Sequence, residues 1–165
     1  ILWINLIMDT FAAMALASLP PAAQVMKSKP RNRRAFIISH PMRNFILGVG
    51  LAFTAVLLAA YFVLMPDSHT YGGNGAFFTL FVMLQFWNLF NAKAFMTGES
   101  ALKNLRHSKE FLFIVLLIFF GQVIIVQFGG RMFNVEPLSL STWLIIIGIT
   151  SPVFFIGELV RRLHR

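Results

Sequence analysis

Apolar residues run along this chain in five long blocks separated by short polar or glycine-rich connections. The blocks cover about residues 1–19, 45–65, 77–95, 111–128 and 143–160. Each approaches the roughly 20 residues that an α-helix needs to cross a bilayer. None alternates strictly with period two, and open sheet edges cannot stand in lipid, so each block is predicted to be helical. The connections are a basic loop (20–44), a turn around "YGGNG" (66–75), a mixed loop (96–110) and a second turn (129–141). The predicted fold is therefore an all-α membrane protein, a bundle of five transmembrane helices with short loops, forming one domain over residues 1–165. No internal repeat or low-complexity segment interrupts it.

Composition agrees with lipid as part of the solvent. Residues are 58% hydrophobic and only 12% charged, with 19 Phe and a mean hydropathy of +0.75, whereas about a quarter of a soluble domain is charged. Cysteine is absent, which excludes disulfides and thiolate metal sites. The chain opens inside an apolar block with neither an initiator Met nor a signal-peptide pattern, and so reads as a piece of a longer protein.

Charge sets the orientation. Of the 14 Lys and Arg residues, only Arg131 falls on the second or fourth connection; the rest share the other face with the tail. The positive-inside rule makes that crowded face cytoplasmic, placing the start of the chain on the exoplasmic side and the C-terminus in the cytoplasm. The net charge of +8 then reflects topology and attraction to membrane lipids, and "KSKPRNRR" is no nucleic-acid site.

One acidic residue is out of place. Asp9 stands inside the first block, and counting back from Pro20 at ~1.5 Å per residue puts it roughly 16 Å deep. A carboxylate in lipid costs roughly 2.5–3.5 kcal/mol on the insertion scale. No Lys or Arg of the chain lies at that depth to offset it. Asn5, four residues earlier, projects from nearly the same helix face. A carboxylate and an amide oxygen are hard ligands suited to calcium or magnesium, but calcium takes 6–8 oxygens, so other helices must contribute.

In the third block Gln85, Asn88 and Asn91 recur every three residues, and interhelical hydrogen bonding is the expected role of Asn88 and Asn91. Glu158 precedes Arg161 and Arg162 by three and four residues, the spacing of an ion pair. Lys93 can snorkel from its helix end. His40 reads as a loop residue and Met8, with its soft thioether, as packing. The glycines of "YGGNG" mark a turn and lack the Lys-Ser/Thr of a phosphate-binding loop.

"LWINLIMDTFAAMALASLPP" closely resembles the sixth transmembrane segment of P-type calcium-transporting ATPases, and "MLQFWNLFNAKAF" their eighth. The paired prolines and the basic loop after them are similar to the family's link between segments six and seven. The resemblance covers essentially the whole chain as segments six to ten. It implies that Asn5 and Asp9 are calcium ligands, completed by a glutamate and backbone carbonyls from segment four, which this chain does not contain. In the sarcoplasmic-reticulum type a second site uses a threonine and a segment-eight glutamate. Here those positions hold Met8 and Gln85, so Gln85 is at most an auxiliary ligand and one calcium per cycle is implied.

That pattern resembles the plasma-membrane type of calcium pump. Leu19 replaces an acidic residue often found before the prolines, and the chain stops at "RRLHR" without a calmodulin-binding tail, which points to a bacterial inner-membrane relative. The resemblance implies that magnesium and ATP act in the parent chain on cytoplasmic domains absent here, since no "DKTG" motif is present. The implied partners are the remaining segments and cytoplasmic domains of the same pump. Secretory-pathway pumps share the Asn, Met and Asp arrangement, which keeps manganese, or mixed calcium/manganese transport, as the alternative. An accessory membrane scaffold, with Asp9 merely joining helices, is the alternative of another class. A lipid-flipping ATPase would have no obvious use for Asp9.

Overall fold

The computed structural model describes residues 2–20, 36, 38–64, 71–95, 100–103, 105 and 108–163, the side chains of 2–7, 64 and 71–74 excepted. Most of the basic first loop, with Lys27, Lys29, Arg31, Arg33 and Arg34, lies outside the described residues, as do Asp67, Arg106 and Arg165. All the regular structure described is helical: α1 (Leu2–Ala17), α2 (His40–Leu64), α3 (Tyr71–Lys93), α4 (Lys109–Phe128), α5 (Gly130–Phe133), α6 (Leu140–Thr150) and α7 (Pro152–Leu163).

Four helical stretches are long and apolar enough to cross a membrane: His40–Val63, Gly75–Lys93, Lys109–Phe128 and Leu140–Leu163. The first predicted span is shorter. Its helix, α1, has 16 residues, fewer than the ~20 of a full crossing.

Several boundaries differ from the sequence reading, each for a local reason. α2 starts at His40, not 45, because the Ser39 hydroxyl accepts from the Met42 N–H at 3.4 Å and Pro41 sits in the first turn. There a missing N–H costs nothing. His40 is thus an exposed helical residue rather than a loop residue. The "YGGNG" glycines belong to the opening of α3, not to a turn. A Cβ on Gly75 would stand 3.0 Å from the Glu136 carbonyl oxygen, so the glycine lets α3 meet the backbone of residues 135–138. The turn predicted at 129–141 holds the single-turn α5, entered by Gly130 (φ 44°) and left by Asn134 (φ 52°). α6 begins at Leu140 because Ser139 caps it, its hydroxyl accepting from the Thr142 N–H at 3.2 Å.

The last block is broken rather than continuous. Pro152 has no N–H to give to Gly148, and the Ser151 hydroxyl takes that carbonyl instead at 3.1 Å. Thr150 donates to the Ile146 carbonyl at 2.7 Å and accepts from the Trp87 indole N–H at 3.1 Å, tying the break to α3. Thr150→Val keeps the shape but leaves a half-buried indole N–H unpaired, and should cost about 1–2 kcal/mol. Thermal unfolding in detergent checks this, with Thr150→Ser expected to retain most of the stability.

α3 is the centre of the bundle. About 67% of its span is buried, against none of α2's, and it packs against α1, α2, α4, α6 and α7. Among the described helices α2 packs on α3 alone. In lipid, where apolar burial drives little, such packing rests on close contacts and interhelical hydrogen bonds. Phe90 of α3 meets Phe111 of α4 and Phe154 of α7 edge-on, with ring centroids 5.8 and 6.0 Å apart. Gln122, a lone buried amide in α4, donates to the Thr79 hydroxyl at 3.3 Å, and Thr79 donates in turn to the Gly75 carbonyl at 2.8 Å.

Candidate functional site

α1 carries both residues of the candidate ion site. It packs chiefly on α4 and also touches α3. Met8 and Ala15 are buried against that side, with Phe11, Ala12, Leu16 and Leu19 partly buried beside them. Asp9, Thr10, Ala13, Met14 and Ala17 are exposed, so the carboxylate stands on the face that this bundle leaves uncovered. The arrangement follows from helix periodicity: a core stripe at 8, 11, 12, 15 and 19 forces position 9 outward. Asn5 lies one turn earlier in α1, and its side chain is outside the described residues.

Asp9 has no Lys or Arg partner among the described residues. Among the described residues an ion pair joins Arg161 to Glu158 at 3.0 Å, both in α7. Gln85 is half-buried in α3, and Met8 is buried in the core as packing, pointing away from any ion on the Asp9 face. No group of three or more His, Asp or Glu among the described residues could hold a metal ion. What α1 presents among the described residues is a hard carboxylate on an open helix face.

A second polar cluster holds the other end of the bundle. The Asn91 NH2 donates to the Val153 carbonyl at 2.9 Å, across from α3 to α7. Arg161 donates through one terminal nitrogen to the Asn91 side-chain oxygen at 3.2 Å and to Glu158 at 3.0 Å. Glu158 also accepts from the Ala101 N–H at 3.2 Å. From α3, Lys93 donates to the Ala101 and Lys103 carbonyls at 3.1 and 2.8 Å. The peptide groups on both sides of buried Ala101 are thus gripped by opposite charges. Asn91 has the interhelical bond expected of it and Glu158 pairs with Arg161 as its spacing indicated, while Lys93, read in the sequence as a snorkelling residue, instead holds the carbonyls of Ala101 and Lys103. Asn88 departs from the expectation, its side-chain oxygen being buried without a partner among the described residues. Three pieces of this cluster were missed in the sequence: the reach of Arg161 to Asn91, the gripping of Ala101, and the role of Gly157. No Cβ fits at Gly157, because it would lie 2.1 Å from the Asn91 side-chain oxygen.

Four helical stretches apolar and long enough to cross a bilayer define an integral membrane component. The family model described as "Cation transporting ATPase, C-terminus" matches residues 1–163, and the chain belongs to that family. It is 34% identical over 173 residues to plasma membrane calcium-transporting ATPase 2 of Oreochromis mossambicus, covering 96% of this chain and 15% of that protein. It is 35% identical to the human plasma membrane calcium-transporting ATPase 3, covering 96% of this chain and 14% of that protein. Calcium-transporting ATPase 2 of Schizosaccharomyces pombe is 33% identical over 165 residues, with 98% and 13% covered. The chain therefore spans about one-seventh of the length of these relatives.

Proposed function

We propose that the chain is the membrane C-terminal part of an ATP-driven P-type calcium pump, in which Asn5 and Asp9 supply ligands for one calcium ion moved out of the cytoplasm. The observation that carries this reading is the Asp9 carboxylate, exposed on α1 in an apolar setting with no cationic partner among the described residues. A transported cation offsets that charge where no Lys or Arg does. The remaining segments of the parent chain cover the open face of α1 and complete the 6–8 oxygens that calcium takes. α1 then forms the core of a fifth crossing. A buried Met8 and a neutral Gln85 supply no second acidic site, which favours one ion per cycle.

The names of the relatives support calcium over manganese as the cargo. Magnesium and ATP act on the cytoplasmic domains of the parent. The distribution of Lys and Arg supports an exoplasmic start and a cytoplasmic C-terminus. The absence of an acidic residue at Leu19 supports a bacterial inner-membrane setting.

The test is uptake of radioactive calcium by vesicles carrying the full-length parent. ATP should drive uptake with one calcium moved per ATP hydrolysed, and excess manganese should compete poorly. Two ions per ATP would overturn the single-site reading, and manganese-stimulated hydrolysis without calcium uptake would replace calcium as the cargo.

A further inference from the structure

α1 meets the rest of the bundle through α4 and, more lightly, α3. Two of its side chains sink deepest into that contact, Met8 at 7% exposed and Ala15 at 0%, one heptad apart. Ala15 is the smaller of the two, and a small, fully buried side chain marks a place where helix backbones approach closely. At about 100° per residue, position 15 lies about 120° around the helix from position 9. Ala15 thus sets the distance on the inner side of α1, while Asp9 rides on its outer flank.

How each helix is held decides which one gives way when bulk is added at Ala15. α4 is tied to α3 by the hydrogen bond from Gln122 to Thr79 at 3.3 Å. It is tied again by Phe111, fully buried and edge-on to Phe90 with ring centroids 5.8 Å apart. α1 has an open outer face in this bundle, and no hydrogen bond or ion pair among the described residues fixes the Asp9 carboxylate. A methyl group added at position 15 therefore moves α1 outward rather than α4 inward, and Asp9 moves with it.

A cation shell responds to displacements far smaller than a methyl group. Calcium takes oxygens at about 2.3–2.6 Å and magnesium at about 2.0–2.1 Å, so a few tenths of an ångström separate a site for a large ion from one for a small ion. Pushing α1 outward brings the carboxylate nearer to the oxygens that close the shell from the other segments of the parent, which favours a smaller ion.

We propose that Ala15 is a specificity-determining residue of the calcium site. Its volume sets how far α1 stands off α4, and through that the size of cation that Asp9 and its co-ligands accept. The inference rests on the reading of Asp9 as an ion ligand. Ala15 touches no ion and acts only through the seating of α1. A residue that merely keeps the helix packed would, when changed, weaken all cations alike, whereas a spacer changes their order.

Uptake of radioactive calcium into vesicles carrying the full-length parent tests this, with manganese, the smaller ion, and strontium, the larger, as competitors. Ala15→Val should improve manganese against calcium by about tenfold while the maximal rate per folded pump stays near wild type. Ala15→Gly, which lets α1 settle closer to α4, should move the balance the other way, toward strontium. Ala15→Ser, of nearly the same volume, should keep the wild-type order. Equal weakening of all three ions in Ala15→Val, or the wild-type order in both the Val and the Gly variants, would overturn the proposal. Should Ala15→Val fail to fold, Ala15→Gly decides alone. Asp9→Asn run alongside separates the two readings. Uptake surviving in it removes the ligand role and this inference together, while uptake lost there with an unchanged ion order in the Ala15 variants removes this inference only.

Discussion

Asp9→Asn in the full-length pump is expected to abolish ATP-driven calcium uptake while leaving the protein folded. The amide keeps the size and one oxygen of the carboxylate but removes its negative charge. Calcium sites are tuned over many orders of magnitude by the number of charged ligands and by their rigidity. Loss of one charge where few others are available should weaken apparent calcium affinity by at least about 100-fold. The structure separates this effect from a folding defect. Asp9 is exposed and has no hydrogen-bond or ion-pair role in holding α1 to α4, which Met8, Phe11, Ala15 and their neighbours provide. Expression level and melting temperature should therefore match the wild type. Uptake surviving in Asp9→Asn would make the carboxylate structural and would favour the scaffold alternative. A melting temperature that falls together with uptake would leave the ligand role without support.

Gly157→Leu is expected to have the largest effect on stability. Even a methyl group at this position would overlap the Asn91 carboxamide, its Cβ lying 2.1 Å from the oxygen and 2.5 Å from the amide carbon. Such an overlap is relieved cheaply only when the neighbour is free to move, and Asn91 is not. It is held by the Val153 carbonyl on one side and Arg161 on the other. Displacing it breaks both bonds, frees Arg161 from its bridge to α3, and separates α7 from the centre of the bundle. Overpacking typically costs 1–3 kcal/mol and interhelical hydrogen bonds in membranes average about 0.6 kcal/mol each, so a loss of about 2–4 kcal/mol is expected. Melting of the detergent-solubilised protein measures it. A double variant that also carries Asn91→Ala should recover part of the loss, because it removes the collision. No recovery would mean that the strain lies elsewhere in α7.

The particular residues show which features were legible without coordinates. Asp9 stood out because a carboxylate amid Leu, Ile and Phe is costly in lipid whatever the fold, and Glu158 because its partner Arg161 lies three residues on; the carbonyls that hold Lys93 were not legible. Asn91 announced an interhelical bond by its polarity, but not the acceptor, since the Val153 carbonyl is 62 residues away. Gly157 carried no signal at all. A glycine in an apolar run is common, and its necessity comes only from a side chain on another helix. The "YGGNG" run misled for the same reason: glycine marks a turn when read locally, yet Gly75 serves close contact with the Glu136 backbone. The break at Pro152 was open to inspection, because proline inside a helix removes a hydrogen bond, but its capture by Ser151 and Thr150 required the folded geometry.

By itself the sequence determined the solvent of this protein, its helical secondary structure and the presence of an acid in an apolar block, because each follows from transfer energies that act residue by residue. Only the tertiary structure decided that α3 is the centre, that Asp9 faces the uncovered side of α1, and that Gly157 of α7 makes room for the Asn91 carboxamide of α3. Those outcomes depend on which helix faces meet, and in lipid the choice rests on close packing and single hydrogen bonds between residues far apart in the chain.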